Sequence, residues 1–394
     1  MIKVLYINYE NLFKTAILQG MVVKPLDIMS KKYDIDFTVT SAYKNFEKDK
    51  IYHLNKNYVE SNTDINVIEF EKKLTSKQSI FTFIKDIIPI LSFSIKRAKE
   101  VDIIHCRSYG GAVIGYIASK FSGKPFIFDM RGTLPEETVD VGKIKKNSLK
   151  FKIMKFAEKF LIKNANYVFT VSNKFNEYVK NNFKKKNVIN INNPTDFSVY
   201  KPSKKNKDKI SFIYSGSLQK WHVPELVIQY FDRVQKKYGD KVFLNFCTND
   251  LNEAKKIFKK YNVDRSSYVI KNVPYYEIGR EYSNSDIGFC LIKESFSKSV
   301  CFPVKFSEYI ASNIFVIGNE NIGDIPEIIT KYKCGIVLDN IYNIEKNINS
   351  IYDLVDKMLN EKLISYDRNQ LKFLDWNSEG VKNIMNIYYK LIKK

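Results

Sequence analysis

Ile210-Ser211-Phe212-Ile213-Tyr214, running on through Ser215-Gly216-Ser217-Leu218-Gln219-Lys220-Trp221-His222 to a helical segment near Pro224, decides the fold. Its first five residues are a short apolar run of β-branched and aromatic character, the composition of a buried strand. Gly216 marks a turn. Pro224 suits a helix start, where its missing N–H would have no helical partner. A strand that passes through a glycine turn into a helix is the repeating step of a parallel sheet flanked by helices. The same step makes an anion site: the glycine lets the backbone approach a ligand, the helix N-terminus favours phosphate, and Lys220 completes it. Taken alone, a tight turn carrying a solvated lysine reads the same way.

Outward from this stretch the alternation fills the chain. Strands are expected at 3–7, 36–40, 66–70, 101–106, 125–129, 167–171 and 188–191. Turn-forming Asn192-Asn193-Pro194-Thr195-Asp196 and a lysine-rich polar run over 201–209 then mark a boundary. Beyond it, strands are expected at 210–214, 241–246, 268–270, 287–291, 314–317 and 335–338, with a closing helix over 379–393. The expectation is an α/β chain of two Rossmann-like domains, 1–197 and 198–375, facing each other across a cleft. A C-terminal helix within 376–394 packs back on the first. The length of 394 residues suits this count at roughly 150 residues per domain.

Composition narrows the function. Hydrophobic residues make up 44%, enough for true cores. The most apolar stretch, 79–98, carries Lys85, Asp86 and Pro89, so it reads as a core helix rather than a membrane span. No signal-peptide pattern precedes the strand at 3–7, so a cytoplasmic location is expected. The five cysteines are scattered without CxxC spacing and read as structural thiols, and three dispersed histidines do not suggest zinc. The net charge of +21 follows a general abundance of lysine, so local basic clusters carry more meaning than the total. Basic residues are not interleaved with aromatics on one face, so no nucleic-acid partner is expected. Asp34-Ile35-Asp36 has DxD spacing, but it enters an early strand and reads as a strand-edge turn, so no metal is expected.

The second chemical segment is Pro303-Val304-Lys305-Phe306-Ser307-Glu308-Tyr309. Pro303 fits a helix start, and Lys305 and Glu308, three apart, share the face of its first turn. A carboxylate there accepts hydrogen bonds from a ribose diol, while a lysine and free backbone N–H groups meet a diphosphate. An ordinary surface ion pair would have the same spacing. Together the pieces resemble the C-terminal domain of the family 4 glycosyltransferases, retaining enzymes of the GT-B fold. The matching order is Tyr214-Ser215-Gly216 with Lys220, then Tyr282 and Asp286, then Pro303 to Tyr309. Ala311-Ser312-Asn313 and Gly323-Asp324-Ile325-Pro326-Glu327-Ile328-Ile329 with Gly335 complete it. Two departures stand out. Val300 occupies the place where many members carry a first glutamate near the donor sugar, with Glu294 a nearby loop carboxylate. Ser217 replaces an arginine that often follows the loop glycine. A Gly-Gly loop usual near the N-terminus is also absent, and residues 8–20 offer only Gly20.

The first half agrees with the resemblance. Asn193-Pro194-Thr195-Asp196 with Tyr200 is similar to the family's interdomain link, and Val171-Ser172 to a strand end before a helix. Asp129-Met130-Arg131-Gly132 with Pro135-Glu136-Glu137 resembles a subgroup found in bacterial polysaccharide assembly. By this likeness Arg131 stands where many members have an active-site histidine. A guanidinium there binds an acceptor phosphate or carboxylate, or steadies the leaving diphosphate; a plain salt bridge to Asp129 or Glu136 is the competing reading. The resemblance thus implies catalytic roles for Arg131, Asp129 and Lys220, and donor binding by Gly216, Ser217, Lys220, Pro303, Lys305 and Glu308. His105, Arg107 and Glu136 are acceptor candidates. The donor is a nucleotide sugar, UDP-linked, the acceptor a glycan or lipid-linked glycan, and no cofactor is needed. A sugar-nucleotide epimerase would want histidines or paired carboxylates at the sugar. A phosphorylase would want a lysine-bound cofactor and a longer chain. A non-catalytic binding protein on the same scaffold is the third reading, suggested by Val300 and Ser217.

One further pattern lies in 143–163. Leu149, Ile153, Phe156 and Phe160 fall on one helical stripe, and Lys152, Lys155, Lys159 and Lys163 on an adjacent one, with Lys145, Lys146 and Lys150 just before. Such a helix either buries its apolar stripe in the core or docks on anionic lipid. The expectation is peripheral attachment to the inner face of the cell membrane.

Overall fold

A computed structural model describes residues 1–72, 80–200, 202, 208–218, 221–360 and 365–393. The expected strands all form, with ends shifted by a few residues at most. They divide between two compact units, Met1–Asn192 with Trp376–Lys394, and Asn193–Asp375.

Among the described residues the first unit holds seven parallel strands: β1 Ile2–Asn8, β2 Ile35–Tyr43, β3 Asn66–Glu71, β4 Ile103–Arg107, β5 Phe126–Asp129, β6 Tyr167–Thr170 and β7 Val188–Asn190. Their order is β3-β2-β1-β4-β5-β6-β7. The central strands β4 and β5 are buried at every residue, while β3 at the edge is half-exposed along its length. That gradient is the burial of a parallel sheet covered on both faces, and it explains why the central strands read as continuous apolar runs. The second unit repeats the plan with β8 Ile210–Ser215, β9 Val242–Cys247, β10 Tyr268–Lys271, β11 Ile287–Cys290, β12 Phe315–Asn319 and β13 Gly335–Leu338, ordered β10-β9-β8-β11-β12-β13.

The first unit is built from two separate stretches of chain. Trp376 is fully buried in it and donates its indole N–H to the Gly20 carbonyl at 3.1 Å. Lys32 Nζ reaches the Asn377 carbonyl at 2.8 Å. The Val381–Ile392 helix then lies against β4 and carries Tyr388 to His105.

Three details bear on the expectations. Asp34 sits at the N-terminal end of β2, away from the carboxyl ends of the strands, and pairs with the terminal ammonium at 2.6 Å. No helix among the described residues is long and apolar enough to cross a membrane. The Leu149–Asn164 helix, capped by Ser148, turns Glu158, Leu161 and Ile162 inward and its Leu149–Phe160 stripe outward.

Candidate functional site

In the second unit the site grows from the end of β8. Gly216 has φ +145°, in the region that favours glycine, and a Cβ there would lie 3.1 Å from Lys305 Nζ and 3.6 Å from both His222 and the Tyr214 hydroxyl. The backbone angle is what calls for glycine; a Cβ would press only on the Lys305 ammonium, the other two separations being ordinary contacts. Lys305 comes from the first turn of the Val304–Ala311 helix, behind Pro303 as N-cap. Its ammonium is buried over the Tyr214 ring at 4.5 Å, and among the described residues it has no hydrogen-bond partner. Burial pushes it down to about 8, against the pull of Cys290 and Glu308.

Lys305 and Glu308 do not pair with each other. Glu308 Oε2 accepts from the Tyr282 hydroxyl at 2.9 Å and Oε1 from the Tyr200 hydroxyl at 3.3 Å. Burial raises the carboxyl's pKa, opposed by the two tyrosines and Lys305. Tyr282 also meets Ser215 Oγ at 2.7 Å, so the carboxylate is held by a network anchored at the end of β8. The buried ammonium is thus left available to an outside anion, and the carboxylate keeps lone pairs beyond the two taken by tyrosine.

The loop beyond Gly216 shows a feature that sequence reading missed. Asp250 Oδ2 accepts from the Leu218 N–H at 2.9 Å and from Ser217 Oγ at 3.3 Å. A carboxylate from the loop after β9 therefore holds the place where the family resemblance expects an arginine. Lys220 lies outside the described residues. A second buried lysine, Lys298, stacks over the Trp221 ring at 3.6 Å, next to His222. Val300 is buried and Glu294 exposed. An open pocket of about 630 Å³ lies in this unit, lined by Asn245, Lys271, Tyr276, Arg280 and Glu281, and among the described residues none of the expected donor residues borders it.

In the first unit His105 and Arg107 end β4 and Asp129 ends β5, with Arg107 in register with Asp129. Arg131 Nη1 donates to Asp129 Oδ1 at 3.1 Å, so the salt-bridge reading of Arg131 is realised. His105 is 2% exposed; its Nδ1 meets the Tyr388 hydroxyl at 2.6 Å and its Nε2 lies 3.8 Å from Asp129. Burial alone would raise the Asp129 pKa, but Arg131, His105 and Arg107 outweigh it and hold the carboxyl at about 2. The cluster borders a cavity of about 20 Å³, room for a water molecule and not for a sugar. His105 is thus enclosed behind Tyr388, whereas Arg131 stays partly open.

Glu136 and Lys155 meet at 2.9 Å, and Lys155 also contacts Glu158 and, at 3.0 Å, the Tyr178 hydroxyl. Tyr109 closes the network, donating to Glu158 at 2.6 Å. This corrects the reading of two residues. Glu136 is engaged in an internal ion pair, and Lys155 is not part of a solvent-facing basic stripe, because the buried Glu158 draws it inward.

With this geometry the comparison with known families gives a definite result. Residues 196–370 match the family of glycosyl transferases group 1. That match spans most of the second unit and includes Gly216, Lys305 and Glu308. A search of curated proteins gives no sequence match. Among solved structures the chain is similar to sucrose-phosphate synthase from Thermosynechococcus elongatus, with TM-score 0.70, 10% identity and 100% of each chain covered. It is similar to HepE from Anabaena in complex with UDP and glucose, with TM-score 0.65, 12% identity, and 100% of this chain and 98% of that one covered. It is also similar to a putative UDP-N-acetylglucosamine 2-epimerase from Listeria monocytogenes, with TM-score 0.57, 10% identity, and 98% and 95% covered. At such identities the likeness establishes the fold: two parallel-sheet domains of the GT-B architecture.

Proposed function

We propose that the chain is a retaining, metal-independent glycosyltransferase that moves a hexosyl group from a UDP-linked donor to a glycan or lipid-linked acceptor in bacterial surface polysaccharide synthesis. The observation that carries this reading is the buried ammonium of Lys305, without a hydrogen-bond partner among the described residues and set against Gly216 at the end of β8. A diphosphate is the complement of that arrangement. The match to glycosyl transferases group 1 and the UDP and glucose bound by the Anabaena relative support the donor class.

In the proposed reaction the bond between the anomeric carbon and the diphosphate oxygen breaks as the acceptor oxygen bonds to that carbon from the same face. The acceptor's proton passes to the departing phosphate oxygen, so no side-chain base is required. Lys305 and Lys220 neutralise the growing negative charge, which is the largest contribution a preorganised site makes. Glu308, fixed by Tyr282 and Tyr200, accepts hydrogen bonds from the ribose diol through its remaining lone pairs. Arg131, steadied by Asp129, meets the acceptor's polar groups. His105 packs beside Asp129, its Nε2 3.8 Å from the carboxylate.

The competing reading is a binding protein without transfer activity, favoured by Val300 at the first glutamate position and by the Asp250 carboxylate beside Ser217. The two separate in one experiment. UDP should raise the melting temperature of the wild type and not of Lys305→Ala, since a ligand that binds only the folded state stabilises it. Slow hydrolysis of at least one UDP-sugar should accompany that binding. A UDP shift with no turnover across a donor panel would favour the binding protein, and no shift with any nucleoside diphosphate would remove the reading altogether.

A further inference from the structure

The Leu149–Asn164 helix is amphipathic in an unusual sense. Its inward side carries the Lys155–Glu158 pair, Leu161 and Ile162. Its most apolar stripe points to solvent: Leu149 is 74% exposed, Ile153 55%, Phe156 72% and Phe160 39%. At 3.6 residues per turn the spacings of four, three and four keep these side chains within a narrow sector opposite Glu158. Large apolar side chains exposed singly are common, but a continuous row along one helix is not.

The surroundings of the row are equally specific. Lys152, Lys159 and Lys163 flank it on one side and Lys150 on the other, all exposed, with Lys143, Lys145 and Lys146 exposed on the approach. The only carboxylate within 143–164 is Glu158, which is buried. The row continues onto the neighbouring Ser108–Ser122 helix, where Tyr116 meets the Phe160 ring edge-on at 4.9 Å, Lys120 lies over Tyr116 at 5.5 Å and Phe121 is 67% exposed.

We infer that this face is a docking surface for a membrane of anionic phospholipid, with the apolar row entering the headgroup boundary and the lysines meeting the phosphates. The charge pattern selects this partner over a second copy of the chain, because two such faces would oppose lysine to lysine with no carboxylate between them. It selects lipid over a polyanion without tails, because four apolar side chains at the centre need somewhere apolar to go. The inference goes beyond glycosyl transfer and does not depend on it, since vesicle binding requires no nucleotide.

Co-sedimentation of the full chain with vesicles tests it. The protein should pellet with phosphatidylcholine–phosphatidylglycerol vesicles and stay in solution with phosphatidylcholine alone. Binding should fall tenfold or more between 50 and 500 mM salt as charge is screened. The triple variant Lys152→Gln, Lys159→Gln, Lys163→Gln should lose tenfold or more. Ile153→Ser with Phe156→Ser should lose binding even at low salt. Both should keep the wild-type melting temperature, because all five side chains face solvent. As a gain-of-signal control, Phe156→Trp should keep binding and shift its emission to the blue on anionic vesicles. Equal binding to neutral and anionic vesicles, or no change in either variant, would overturn the inference. So would a dimer in sedimentation velocity that Phe156→Ser converts to monomer without vesicle binding.

Discussion

Lys305 holds a charge that the folded chain does little to compensate. Its ordinary value of 10.5 falls to about 8, so between those two values the unfolded chain binds the proton that the folded chain has released. Stability contributed by this group therefore rises with pH from about 8 to about 10.5, and below 8 the folded state carries the full penalty. Lys305→Met should accordingly stabilise the protein below pH 8, by roughly 3 kcal/mol for a shift of this size, while abolishing UDP binding. Denaturant melts at pH 7 and pH 10 check the first point. A UDP phosphate would restore the ammonium's favoured state, so binding near pH 8.5 should take up protons. Calorimetry in buffers of different ionisation enthalpy reads that uptake, and Lys305→Met should remove it. Lys305 and Glu308 were both legible from their spacing. That they do not pair was not, because Tyr200 and Tyr282, far off in sequence, take the carboxylate. Nor was Asp250 legible, since nothing in the residues around it marks a loop that folds onto Ser217.

At the scale of the element, the Leu149–Asn164 helix shows where periodicity stops informing. Spacing located the helix and its two stripes, but a helix with apolar residues on opposite sides gives no sign of which faces the core. The outcome turned on Glu158, a buried carboxylate against the usual rule, which needs Lys155 beside it and so fixes the rotation. Lysines four residues apart should then differ sharply. Lys155→Gln leaves Glu136 and Glu158 without their cation and should cost about 3 kcal/mol, as breaking a buried pair does. Lys159→Gln should cost under 0.5 kcal/mol, as for a surface substitution. Urea melts of the two variants make the comparison. The strands, by contrast, were legible throughout, because short runs rich in β-branched and aromatic residues and bounded by turn residues favour a strand over a longer buried helix.

For the molecule as a whole, the two α/β units could be read from alternation and from the turn-rich passage near 192–209. The placement of charge also sets the expected chemistry: with Lys305 and Lys220 assigned to the diphosphate, transfer should survive EDTA. Loss of activity on chelation, restored by Mn²⁺ or Mg²⁺, would contradict that assignment. One consequence of the architecture concerns the order of synthesis. Trp376 and Tyr388 complete the first unit, yet the ribosome makes them after every residue of the second. At about 5–20 residues per second, the nascent first sheet waits on the order of ten seconds or more for its last helix, with His105 and the Gly20 carbonyl still uncovered. The unit begun first is therefore finished last, after the whole of the second has already been made.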